Sequence, residues 1–131
     1  MKPEQFIREY GLEKAREVVE GAPKIGSYWQ EFGVDTNTYY GYDSFCGAWY
    51  EYWDIPNAPM WQKVFTKDGF SFNRVEVKDL KRLVESVDLV DSLGGLKAAR
   101  SEAHKDCFVY NQPLLAAIAA YESIYGGGHE Y

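Results

Sequence analysis

The sequence predicts an α+β fold, with about five helices packed against a small antiparallel sheet or hairpin from the middle of the chain. Three observations carry this expectation. Apolar residues recur at helical spacing near both ends of the chain. The middle is rich in aromatic and turn-forming residues and has no helical stripe. Within it, Lys67-Asp68-Gly69 lies between Val64-Phe65 and Phe70-Ser71-Phe72, a hairpin signal because Asp-Gly tolerates the positive φ of a tight turn. With 131 residues, 46% of them hydrophobic and 26% charged, the chain is expected to form a single domain over 1–131, with an aromatic, acidic, insertion-like segment at about 25–62.

The elements follow in order. Pro3 suits the first turn of a helix, where its missing N–H would be unpaired anyway, and Phe6, Ile7 and Tyr10 share one face. Gly11 breaks the pattern, and a second stripe of Leu12, Ala15, Val18, Val19 and Ala22 runs to Gly21-Ala22-Pro23, which stops it. Residues 27–77 read as extended structure and loops, with Trp49–Trp53 as strand or short helix ended by Pro56 and Pro59, and with Phe70, Phe72, Val75 and Val77 supplying period-2 faces. Asp79 is the expected N-cap of a helix striped by Leu80, Leu83, Val84, Val87, Val90 and Leu93. Gly94-Gly95 ends it, and Leu96, Ala99, Ala103 and Cys107 continue at helical spacing. Asn111 is the expected cap of a last helix, apolar nearly all round, that buries Leu115, Ile118 and Ile124 and stops at Gly126. An internal echo, Gly11-Leu12-x-x-Ala15-Arg16 against Gly95-Leu96-x-x-Ala99-Arg100, reads as a shared helix–Gly–helix device.

The charge is unevenly placed. The net charge is −6, which disfavours direct binding to nucleic acid. Residues 25–62 hold twelve aromatic residues and five acids (Glu31, Asp35, Asp43, Glu51, Asp54) without a Lys or Arg. Residues 1–24 balance at five basic and five acidic, and 63–105 hold nine basic and seven acidic. The longest strongly apolar stretch, Leu114 to Ala120, is far short of the roughly 20 residues that cross a bilayer. The charged opening MKPEQFIREY is not expected to act as a signal peptide. The expectation is a cytoplasmic protein in a bacterial host cell, with no membrane contact. Cys46 and Cys107 are then expected as free thiols. Zinc is not expected, since His104, Cys107, Cys46 and His129 make a poor ligand set, and no cofactor is implied.

Two blocks, KPEQFIREYGLEKAREVVEGAP and VKDLKRLVESVDLVDSLGGLKAAR, resemble small accessory proteins from the early regions of lambdoid phages and enterobacterial prophages. The resemblance covers both helical blocks and leaves the aromatic middle aside. It implies a bacterial cytoplasm as workplace, expression during infection or induction, and a dispensable role of binding and modulating a host protein. It carries over no catalytic residues.

The residues themselves point the same way. There is no Gly-rich phosphate loop, metal-binding helix or nucleophile elbow. His104 and Cys107 share a helical face but lack an evident oxyanion hole, and Asp43 with Glu51 or Asp54 would need a deep cleft to act as a glycosidase pair. An enzyme is therefore not expected. About half of the twelve aromatics are expected in a core. The rest suit a binding surface, because Tyr and Trp give large contact area at low entropy cost. The expected function is that of a non-catalytic phage or prophage protein that binds, and modulates or inhibits, a host bacterial protein with a basic surface, such as a defence or nucleic-acid-processing factor. The candidate partner-binding residues are Tyr39, Tyr40, Tyr42, Asp43, Trp49, Tyr50, Glu51, Tyr52, Trp53 and Asp54. The alternatives are an acidic DNA mimic, or a small-ligand-binding protein or small enzyme using an aromatic pocket.

Overall fold

A computed structural model of the chain describes residues 1–24, 28–64, 73–103 and 112–126. Helices α1 (Pro3–Tyr10) and α2 (Leu12–Gly21) come first, then strands β1 (Trp29–Gly33), β2 (Thr38–Asp43), β3 (Ala48–Trp53), β4 (Met60–Val64) and β5 (Arg74–Glu76). Helices α3 (Val77–Ser92), α4 (Leu96–Ala103) and α5 (Gln112–Tyr125) follow. The chain is thus α+β, but its sheet is larger than a hairpin: five antiparallel strands in the order β4-β3-β2-β1-β5.

The meander β1-β2-β3 comes from aromatic segments that favour a pleated surface and from two turns of one design. Asn37 and Gly47 each take a positive φ, 55° and 68°, and each donates its N–H to the carbonyl of the residue four before it, Gly33 and Asp43. The Asp43 side chain also accepts from the backbone N–H groups of Phe45 and Cys46, which holds the second turn.

Alternation divides the sheet into two faces. On the covered face, Phe32 and Val75 pair across β1 and β5 and lie under the helices. They join Phe6, Ile7, Ala15, Val18, Leu80, Leu83, Val84, Val87 and Ile124 in one core. Tyr39 packs against that core, and its hydroxyl donates to the Val18 carbonyl at 2.5 Å. A second cluster of Val90, Ala99, Ala103, Leu114, Ala117 and Ile118 joins the far end of α3 to α4 and α5. Further along the covered face, Tyr28 stacks on Tyr50 with ring centroids 4.7 Å apart, and Trp61 packs edge-on against Tyr28 and Tyr52.

The two glycine junctions match as their sequence echo suggests. Gly11 and Gly95 both take positive φ, 93° and 111°, and Ala15 and Ala99, four residues on, are wholly buried. Arg16 then makes two hydrogen bonds to Asp88 of α3, at 2.7 and 2.9 Å, while Arg100 pairs with Glu122 of α5 at 2.8 Å. Each junction turns the chain, buries a small residue against its neighbour, and ties the new helix down with an arginine.

Four expectations need correction. The helix at 77–92 begins at Val77, one residue after β5, so Asp79 sits within its first turn and makes no N-cap hydrogen bond; the cap position is Glu76. Val77 accordingly belongs to a helix and not to a strand face. Leu115 is only partly buried, because α5 turns Leu114, Ala117, Ile118 and Ile124 inward instead. Of the twelve aromatics in the middle segment, only Phe32 and Tyr40 are buried, both at 4% exposure, since the helices pack on one end of one sheet face. The expected Lys67-Asp68-Gly69 hairpin, the Asn111 cap, and His104, Cys107 and His129 lie outside the described residues.

Candidate protein-docking surface

The opposite face of the sheet is built by the alternate residues of the same strands. Trp29, Tyr42, Trp49 and Val64 form one row across four strands, each pair in direct register. Glu76, Glu31, Tyr40, Glu51 and Gln62 form the neighbouring row across all five. Trp53 opposite Met60 extends the face at its β4 end. Tyr40 is buried between Glu31 and Glu51 of its row yet belongs to neither helical core. Trp29, Trp53 and Met60 are 52%, 42% and 42% exposed, so this face keeps much of its apolar area in contact with water.

The acids on this face are held by the rings. The Trp29 indole N–H donates to Glu31 Oε2 at 3.2 Å, and the Trp53 indole N–H donates to Glu51 Oε1 at 2.7 Å. Both are i, i+2 pairs on one strand, so each indole fixes the carboxylate beside it. Arg74 of β5 donates from Nε to Glu31 Oε1 at 2.6 Å and places its guanidinium 5.2 Å from the centroid of the Trp49 ring. To do so it reaches across β1 and β2. Tyr42 packs on Trp49 at 5.0 Å.

Glu76 ends this acid row beside Asp79. Burial is the main reason its carboxyl is pushed up from an ordinary 4.5 to about 7, helped by the hydrogen bond the protonated Glu76 donates to the Asp79 carboxylate and by the charges of Asp79 and Glu31, and opposed by Arg82. Beside the row of rings, a groove of about 590 Å³ opens between Tyr28, Trp29, Glu31, Tyr42, Asp43, Trp49 and Lys78. That volume lies within the usual range for ligand pockets.

The structure splits the candidate residues between the two faces. Tyr40, Tyr42, Trp49, Glu51 and Trp53 share the open face, whereas Tyr39, Tyr50 and Tyr52 point to the covered side. Asp43 terminates β2 and caps the following turn, and Asp54 is exposed just beyond β3. The expected surface, residues 28–54, contains Trp29 and Glu31 without naming them as contacts, and sequence reasoning missed Arg74, Glu76 and Lys78. The missing signal was the i, i+2 alternation itself: Trp29-x-Glu31, Tyr40-x-Tyr42, Trp49-x-Glu51-x-Trp53 and Arg74-x-Glu76 each place their rings or charges on one side of a strand. Cys46 is exposed in the β2–β3 turn next to Phe45, which is 97% exposed.

Among the described residues no group of three or more His, Cys, Asp or Glu is placed to hold a metal ion, and no helix is long and apolar enough to cross a membrane. No family model matches the sequence, and neither a curated protein nor a solved structure matches it.

Proposed function

We propose that the chain is a non-catalytic docking protein whose open sheet face binds a protein partner with a basic surface. The single observation that carries this reading is the row Trp29–Tyr42–Trp49 lying beside Glu31 and Glu51 on a partly exposed sheet face. Rings half in water are unfavourable for the free chain and favourable for a complex, and Trp and Tyr concentrate binding energy in interfaces. Carboxylates set among them select against acidic partners and steer basic ones. The resemblance of the two helical blocks to phage accessory proteins supports a host bacterial protein as that partner, modulated or inhibited by the complex. Those blocks supply α1–α2 and α3–α4, which Arg16 and Asp88 join. The docking face is built from the strands between them.

Photo-crosslinking tests the reading. A benzophenone amino acid is placed at Trp53 on the open face, or at Glu85 on the exposed side of α3, and the proteins are irradiated in host lysate. The expected result is a discrete crosslinked protein from position 53, lost when basic residues of its contact patch are neutralised. Crosslinks from position 85 alone would move the interface to the helices.

A further inference from the structure

The groove beside the row of rings has a more specific character than the face as a whole. Its lining pairs planar rings (Trp29, Tyr42, Trp49) with carboxylates (Glu31, Asp43) and one base, Lys78, and Arg74 is bonded to Glu31 at its side. The chain already demonstrates which chemistry this combination accepts. Arg74 lays its guanidinium over Trp49 while its Nε bonds Glu31. Trp29 offers a second ring beside the same carboxylate, fixed there by its indole N–H and 52% exposed. In the next strand Tyr42 is in direct register with Trp29, and Asp43 follows it at the rim of the groove.

We propose that this groove is a receptor for an arginine side chain of the partner, whose guanidinium stacks on Trp29 and Tyr42 and pairs with the carboxylates of Glu31 and Asp43. The inference rests on the docking reading above and gives the partner's chemistry. Arginine fits better than lysine because a planar, weakly hydrated guanidinium stacks on a ring and still presents a fork of donors, whereas an ammonium is a compact, strongly hydrated charge. A phosphate backbone is disfavoured by the same carboxylates. A neutral sugar would also stack on the rings and donate its hydroxyls to the carboxylates, but it carries no positive charge to pair with them.

The whole protein is titrated at physiological salt with capped tri-arginine, capped tri-lysine and maltotriose. Binding is read from tryptophan fluorescence and from the indole N–H signals in a proton–nitrogen NMR spectrum. Tri-arginine is expected to bind at least about fivefold more tightly than tri-lysine and to shift the Trp29 indole signal. Trp29→Ala should lower tri-arginine affinity about fivefold, with Trp29→Phe restoring most of it, because a phenyl ring still offers a plane. Glu85→Gln, which removes an exposed charge from α3, should leave the affinity unchanged. Equal binding of both peptides, insensitive to Trp29→Ala, would overturn the arginine receptor and leave docking by charge standing. Failure of both peptides to bind, with or without a response to maltotriose, would overturn the receptor and the basic-partner reading together.

Discussion

On the covered face of the sheet, Phe32 and Val75 are sealed beneath α1 and α3 at 4% and 0% exposure. On the open face of the same β1 strand, Trp29 keeps half its surface in water, and Trp53 on β3 keeps 42%. Both faces carry large apolar side chains, but they differ in what accompanies them. Covered side chains meet Leu, Val, Ile and Phe from the helices, whereas the open ones stand beside Glu31, Glu51 and Arg74. Burial on the first face provides the stability that holds the second in place. The open face gives up that contribution to keep a surface that a partner can bury.

The sharpest way to break this comparison is to charge the covered side. Leu80 is wholly buried in the first core. Leu80→Asp should cost several kcal/mol, about the whole stability of an ordinary domain. Circular dichroism should then show no cooperative melt. A wild-type melting temperature would mean that the helix–sheet core is not the seat of stability.

A smaller effect is expected where Tyr28 lies over Gly41. A Cβ on Gly41 would come 2.8 Å from the Tyr28 Cβ and 3.0 Å from its Cδ2. Neither atom is the far end of a flexible chain, so Gly41→Ala should cost about 1–3 kcal/mol of overpacking in a denaturant titration. The stack of Tyr28 on Tyr50 is then the contact that loosens. No loss of stability would show that Tyr28 does not hold this position.

On the open side, stability should depend on pH through Glu76. The folded chain holds its proton up to about pH 7, while the unfolded chain releases it near 4.5. Folding therefore gains stability as pH falls through that window and loses it as pH rises. Glu76→Gln should flatten this slope and raise the melting temperature above pH 7. An unchanged pH profile would mean that Glu76, Asp79 and Glu31 do not crowd one another in solution.

Helices α1 to α4 were legible because each repeats an apolar face every three or four residues and α5 because it is apolar nearly all round, and Gly11 and Gly95 mark where the chain must turn. The sheet was legible only as extended structure. Its faces depend on register, and register is set by turns ending at Asn37 and Gly47 that no Asp-Gly or Asn-Gly pair announces. Composition found the aromatic, acidic segment and missed its division. Tyr39 and Tyr42 look alike in sequence, yet one donates to the Val18 carbonyl and the other packs on Trp49 of the open face. Arg74, Glu76 and Lys78 were invisible as site residues because they reach the surface through the pairing of β5 with β1, far from the aromatic segment in sequence. Asp79 misled because a capping residue was sought where the strand runs straight into the helix.

The most direct test of the central claim is the amount of co-purified partner retained by a Trp29→Ala/Trp53→Ala variant, relative to the unaltered protein. Both side chains are exposed, so the variant should melt within about 1 kcal/mol of the original stability. Retention is predicted to fall at least about tenfold, as for the loss of two interface anchors. Full retention by this folded variant would contradict the account and return the open face to a structural role.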